Sequence, residues 1–195
     1  NLTGYDNLSV SGTSQSVTGL SPGATYKYRV RALNATGASD NSNSISAITV
    51  PPAPIATAAT QVTPTAFTAT WNTSASVPAY YLDVSVDNTF GSFLPGYNNF
   101  ASSTGSQTIS GLSEGVTYYY RVRGANSSGT SANSTTILTA TLPLAPNADA
   151  ASAITASGFT ASWSTVSGAI DYRIDVSTDI GFSFYVGSYF NQQVT

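Results

Sequence analysis

Side chains able to do chemistry are scarce in this sequence. Its 195 residues carry 9 Asp and Glu, 6 Lys and Arg, no His and no Cys. Without His, the usual general base of a hydrolase triad and the commonest metal ligand are both missing. Without Cys there can be no thiolate nucleophile, no disulfide and no thiolate zinc site. Carboxylates remain. Asp83 with Asp87, and Asp175 with Asp179, fall on one face of a strand at a spacing that could share a calcium ion. No Gly-punctuated ligand loop accompanies them, so a solvated face or an ion pair is the expected role and no metal is assigned. The one Glu, Glu114, sits at a turn position, where a paired-carboxylate glycosidase has no support. The chain therefore reads as noncatalytic, with no cofactor.

Aromatic residues offer a second kind of chemistry. Phe90, Phe93, Tyr97 and Phe100 cluster in a stretch kept irregular by Gly91, Pro95 and Gly96, and Phe182, Tyr185 and Tyr189 echo them. Aromatics on a loop can stack on sugar rings or anchor a protein interface. The competing reading is a satellite core that caps the end of a domain, and that is the more ordinary outcome. These seven residues are the candidate contacts to a partner or a glycan.

The remaining surface says little about long-range attraction. Charged residues make up 8% of the chain, against roughly 25% in average soluble proteins, so Ser, Thr, Asn and Gly must carry solubility. The net charge of -3 and pI near 4.4 are opposite in sign to the footprint of a nucleic-acid binder. No run approaches the roughly 20 apolar residues that a membrane-spanning helix needs. Asn1 to Tyr5 resemble neither an initiator Met nor a signal sequence, which suggests a mature interior piece.

The elements that position these residues repeat. Gly19 to Ser39 aligns without gaps on Gly111 to Ser131, an offset of 92, with 13 of 21 positions identical. The same offset carries Phe67 to Phe159, Trp71 to Trp163, Asp83 to Asp175, Phe90 to Phe182, and Tyr5 to Tyr97 to Tyr189. So long a period exceeds the helical solenoid repeats of about 33 to 47 residues and equals a small β-sandwich domain. Pro51-Pro52-Ala53-Pro54 and Pro143-Leu144-Ala145-Pro146 interrupt strand pairing and mark short, stiff connections. The modules should form a semi-rigid rod.

Period-two alternation in the middle unit predicts strand A near 55–62, B at 66–72, C at 80–87 and C′ near 97–101. Strands E at 106–110, F at 117–126 and G at 135–141 follow. Tyr80, Leu82, Val84 and Val86 should face inward and Tyr81, Asp83, Ser85 and Asp87 outward. On strand F, Tyr118, Tyr120 and Val122 should face inward and Arg121 and Arg123 outward. No helical pattern competes, because β-branched residues, aromatics and Gly or Asn turns fill every useful window. The class is all-β.

Leu20-Ser-Pro-Gly-Ala-Thr-Tyr26 followed by Lys-Tyr-Arg-Val-Arg-Ala-Leu-Asn34, repeated at Leu112 to Asn126, resembles the E to F region of fibronectin type III domains. The resemblance implies tandem immunoglobulin-like β-sandwiches, a tyrosine corner at Tyr26 and Tyr118, and a core Trp at Trp71 and Trp163. All four are structural in that reading. It also makes strands C and F neighbours. Asp83 then lies across from Arg121 or Arg123, an opposite-charge pair worth some 0.2–1 kcal/mol at a solvated face. The Arg-Gly-Asp motif is absent, since Arg123-Gly124 is followed by Ala125, so no integrin contact is expected. Tyr81-Leu-Asp-Val-Ser85 with a following Phe, and the Ser and Thr richness, are similar to modules of large secreted bacterial surface proteins.

In this register residues 1–50 hold strands C′ to G of one module, 51–142 a complete module, and 143–195 strands A to C′ of a third. Half a sandwich exposes an open core and unpaired edges. Neighbouring repeats of a longer chain would complete the halves, or the last half of one chain would be completed by the first half of the next. Residues 185–195 repeat 1–11, so a composite module would carry strand C′ twice, which weighs against the second route. The expected function is a structural or adhesive part of an extracellular fibre, filament or cell-surface stalk. Its partners would be copies of itself, neighbouring repeats or surface glycans. The alternative is a spacer or glycan-binding module of a secreted polysaccharide hydrolase.

Overall fold

The computed structural model describes residues 2–194. In chain order the first four strands are β1 (Thr25–Tyr28), β2 (Leu33–Asn34), β3 (Gly37–Ala38) and β4 (Ile45–Ile48). The central unit contains β5 (Ala56–Thr60), β6 (Ala66–Trp71), β7 (Ala79–Ser85), β8 (Phe100–Ser102), β9 (Ser106–Ser110), β10 (Thr117–Asn126), β11 (Gly129–Thr130) and β12 (Ile137–Ala140). The last segment has β13 (Tyr172–Ile174) and β14 (Gln192–Val194). No described residue is helical, and no helix is long and apolar enough to cross a membrane.

Two sheets of the central unit enclose one core. A three-stranded sheet runs β5-β6-β9, and a five-stranded sheet runs β11-β10-β7-β8 with β12 also on β10. All the pairings are antiparallel. Alternation along the strands sends Phe67, Ala69, Trp71 and Ile109 from one sheet against Tyr80, Leu82, Val84, Tyr118, Tyr120 and Val122 from the other. Phe67 stacks on Tyr120 with ring centroids 5.9 Å apart and lies 6.1 Å from Tyr118. The Tyr120 hydroxyl, buried among these rings, donates to the Thr57 carbonyl, so the one polar atom of a core aromatic is satisfied across the sandwich.

Strands β9 and β10 fall on the residues that alternation predicts, while the others are shorter. β5 stops at Thr60 because its register on β6 shifts between Thr57 and Thr60 and Gln61 turns to φ 50°. β7 stops at Ser85, and Asp87 enters a turn instead of extending the strand. That ends the alternation, so Val86, expected inward, is exposed. Asp83 and Ser85 correct the expectation in the other sense. They leave the outward face of β7 yet are buried, because the segment after β7 folds back over that face.

The edge facing β10 is closed by hydroxyls. Where a regular strand G would run, Ser134 Oγ accepts from Val122 N at 3.0 Å and Ser131 Oγ from Gly124 N at 2.9 Å. Their own N–H groups donate back to the Val122 and Gly124 carbonyls. Thr141 Oγ1 does the same for Val116 N at 3.0 Å. The first segment repeats the device with Ser42, Ser39 and Thr49 serving Val30, Ala32 and Ala24. Buried N–H groups must find acceptors, and here hydroxyl side chains supply them.

The flanking segments are thinner. Residues 2–24 contain no strand, and β1 pairs with β4 alone. In the last segment strands A and B shrink to isolated bridges, Ala148 with Trp163 and Ser152 with Thr160, while β13 pairs with β14. Both segments touch the central unit through matched joints. At each joint the preceding module presents a turn held within itself, where Gly23 N donates to Val50 O and Gly115 N to Leu142 O. A Cβ on Gly23 would fall 2.9 Å from Ser76 Oγ, and one on Gly115 would fall 2.3 Å from Ser167 O beside Gly168. Asn126 Nδ2 and Ser128 Oγ reach back to the Thr49 and Ile48 carbonyls.

Candidate functional site

Asp83 sits mid-strand on β7 with its side chain 1% exposed. The antiparallel register sets it directly across from Arg121 on β10. Arg121 Nε lies 3.1 Å from Asp83 Oδ2, and Arg123 Nη2 lies 3.2 and 3.1 Å from the two carboxylate oxygens. Asn99 N donates to Oδ1 at 2.8 Å, and Arg123 also donates to Asn99 Oδ1. A carboxylate taken this far out of water is costly unless it is paired and hydrogen-bonded. Two guanidinium groups and one amide meet that need. The pair is thus not the solvated one expected from alternation, and its contribution is not that of an exposed ion pair.

The segment between β7 and β8 builds the lid of this cluster. Asp87 accepts from Thr89 N at 2.9 Å, Thr89 Oγ1 at 2.6 Å and Gly91 N at 3.0 Å. The Thr89 side-chain bond, followed by the Thr89 and Gly91 amides, holds the Asp87 carboxyl below its ordinary range. Ser85 Oγ donates to Ser92 O at 2.6 Å. Phe90, at φ 59°, tucks under Arg121, whose guanidinium carbon is 4.0 Å from the ring centroid. A bulky residue in the left-handed region is unusual, and Phe182 repeats it at φ 51°. Asn99 and Asn191 also share the left-handed region, which suits Asn.

The aromatic candidates divide between two sides. Phe90 is buried on the outer face and pairs with Phe93 at 6.3 Å. Tyr97 and Phe100, 5.3 Å apart, pack with Leu94 against the core between the sheets. Phe182, Tyr185 and Tyr189 of the last segment are exposed, and Tyr185 meets Phe190 at 4.5 Å. The remaining named residues form hydroxyl and ring contacts. Tyr118 Oη accepts from Ser113 N at 3.0 Å, and Tyr26 Oη from Ser21 N at 2.9 Å. Trp71 lies 6.1 Å from Tyr80, and Trp163 5.7 Å from Tyr172.

Sequence reasoning missed two features here. One is Asn99, whose main-chain and side-chain groups both join the ion cluster; its signal is the recurrence of Asn7, Asn99 and Asn191 in the repeat. The other is the Tyr80 hydroxyl, which accepts from Ser74 N at 2.8 Å, matched by Tyr172 and Val166 N. Chemically the cluster is a brace. Asp83 is engaged on both oxygens, Asp87 caps its own turn, and the two carboxylates serve different partners. Among the described residues no three His, Cys, Asp or Glu side chains gather into a metal site.

A three-stranded sheet packed on a five-stranded one, with a buried Tyr and Trp core, defines an immunoglobulin-like β-sandwich. Residues 51–140 match the family model described as fibronectin type III domain, and the central module belongs to that family. Such domains are commonly noncatalytic modules of adhesion or structure and are typically extracellular. No curated protein matches the chain. Solved structures similar to it include titin domains A168–A170, at 21% identity and TM-score 0.42, covering 60% of this chain and 40% of that one. The chicken CNTN1 FN1–FN3 domains match at 19% identity and TM-score 0.38, with 64% and 45% covered. The sixth fibronectin type III domain of human fibronectin type III domain containing protein 3 matches at 24% and 0.38, with 48% and 85% covered.

Proposed function

We propose that the chain is a noncatalytic structural or adhesive repeat protein of an extracellular fibre, filament or cell-surface stalk, of bacterial type. Its modules supply length and stiffness, with residues 51–142 as the complete unit, 1–50 as the C-terminal half of one neighbour and 143–195 as the N-terminal half of another. The observation that carries this is the repeated joint. Gly115 meets the Ser167 and Gly168 backbone where a side chain would not fit, Gly23 meets the Ser76 side chain at the matching place, and Asn126 and Ser128 tie the following module to the last strand of the preceding one. Joints of this kind favour one orientation between modules, as a rod requires.

The reading as a spacer or glycan-binding module of a secreted hydrolase draws on the aromatic segment. It is the weaker one for the central module, where Phe90 is already covered by Arg121 and Tyr97 and Phe100 are spent on the core. Electron microscopy of the native material tests the proposal. Uniform fibres or stalks with an axial repeat are expected, and dispersed, bent monomers at working concentration would refute the filament reading.

A further inference from the structure

Lateral pairing is a hazard for sandwiches in series, because a sheet edge presents unpaired N–H and C=O groups to the edge of another molecule. Such edges are commonly guarded by Lys, by Pro or by a bulge. One side of the central module is closed, since β5 carries an irregular register and β12 packs beside it. The other side ends in β8 and β9, and no residue from 100 to 110 is charged or is Pro. We propose that side chains of the same module cap the outward carbonyls of β9 and so close that edge to strand addition by a second copy.

The register fixes which groups face outward. Ala69 opposes Gln107 and Phe67 opposes Ile109, in step with Trp71, whose N–H donates to Gly105 O at 2.9 Å. Bonded and non-bonded pairs alternate along an antiparallel ladder, so Gly105, Gln107 and Ile109 turn their main-chain groups to β6. Ser106, Thr108 and Ser110 turn theirs to the free edge, and all three are exposed.

Their carbonyls are not left open. Thr104 Oγ1 donates to Ser106 O at 2.8 Å. Gln107 Nε2 donates to Thr108 O at 2.9 Å, and Tyr97 Oη, from the segment between β7 and β8, donates to the same oxygen at 3.4 Å. A carbonyl has two lone pairs, and at Thr108 both are engaged from within the module. A strand added here would have to displace these groups. The Tyr97 hydroxyl also bridges the two sheets at their open side.

The device recurs in the repeat. Gln15, the equivalent of Gln107, donates through Nε2 to Ser16 O at 2.9 Å. Tyr5, the equivalent of Tyr97, accepts from Thr18 N at 2.9 Å. Thr18 corresponds to Ser110, whose N–H neighbours Thr108 O along the same edge. The tyrosine thus meets an outward main-chain group in both modules, an acceptor in one and a donor in the other. A hydroxyl can serve either, whereas Lys only donates. In a chain with 8% charged residues, amide and hydroxyl groups take over the task of guarding the edge.

Amide hydrogen exchange of the 1–195 chain, with sedimentation velocity on the same samples, tests this. In the parent, the Ser106, Thr108 and Ser110 amides should exchange with little protection at any concentration. With Tyr97→Phe, Thr104→Val and Gln107→Val combined, lateral oligomers should form and those amides should slow by more than about tenfold as concentration rises. Adding Ser106→Pro, which removes one outward donor at an edge position that tolerates Pro, should reverse the effect at Thr108 and Ser110. Thr104→Ser, which keeps the hydroxyl, should behave as the parent. Retained protection at Val122 shows that the module is folded, and where the triple variant loses it, the near-isosteric pair Tyr97→Phe and Thr104→Val is read instead. A folded variant whose edge amides exchange as fast as the parent's, or one that associates with them unprotected, overturns the proposal, as does a parent already protected there. None of the substituted residues lies at a joint, so the rod reading stands or falls separately.

Discussion

Asp83 shows how one side chain can brace a module that has few charges to spend. Its burial is tolerable only while both arginines and the Asn99 amide stay in place. Asp83→Ala should cost about 3 kcal/mol, the lower end for breaking a buried pair, because the arginine heads keep about a quarter exposure. Urea unfolding of the 1–195 chain measures it, and a loss within the range of an exposed pair would mean that water takes over from the carboxylate. Asp87 gives a pH signature of definite sign. Its folded pKa is depressed, so its contribution is present above the unfolded value, about 3.9, and is lost as pH falls through the folded one. The protection of the Thr89 and Gly91 amides, measured relative to their intrinsic exchange at each pH, should therefore fall in acid, and Asp87→Asn should make that protection largely insensitive to pH.

At the scale of elements, the hydroxyl edge beside β10 is the feature most open to test. Ser134→Ala removes the acceptor of a buried N–H and should cost about 1–3 kcal/mol, with lost hydrogen-exchange protection at Val122. Asn133→Ala, one residue earlier and exposed, should be silent. The contrast also explains what the sequence could reveal. β10 was legible end to end because a two-layer core imposes strict alternation on its ten residues. The Asp83–Arg121 pairing was legible for the same reason, since opposite charges on neighbouring strands meet in register. The depth of Asp83 was not, because it depends on where residues 86–99 fold, and a segment anchored by Asp87, Phe90 and Asn99 in turn conformations carries no periodic signal. Strand G was legible as β12, but the stretch ahead of it was not. Ser131 and Ser134 read as loop residues by composition, yet their side chains do the work of a ladder.

At the scale of the molecule, the joints decide whether modules in series make a rod. Gly115 and Gly111 both have positive φ, but only Gly115 faces the next module; nothing lies within 4 Å of a Cβ on Gly111. Replacement by Ala should strain either backbone by about 1–2 kcal/mol, so central-module stability falls alike in both variants. Only Gly115→Ala should shorten the maximum dimension in X-ray scattering by loosening the joint. Equal scattering from the two variants would show that the proline connections alone set the orientation.

The route of the chain through the central module has a mechanical consequence. It enters at Pro51, beside Gly124 near the end of β10, and leaves at Leu142, bonded to Thr63 and Gly115 near the start of β10. Entry and exit are therefore at opposite poles, and tension applied along a rod runs parallel to β5 and β12. Their hydrogen bonds to β6 and β10 lie across that line. The load falls on each ladder in shear, so several bonds must yield together, whereas peeling would break them singly.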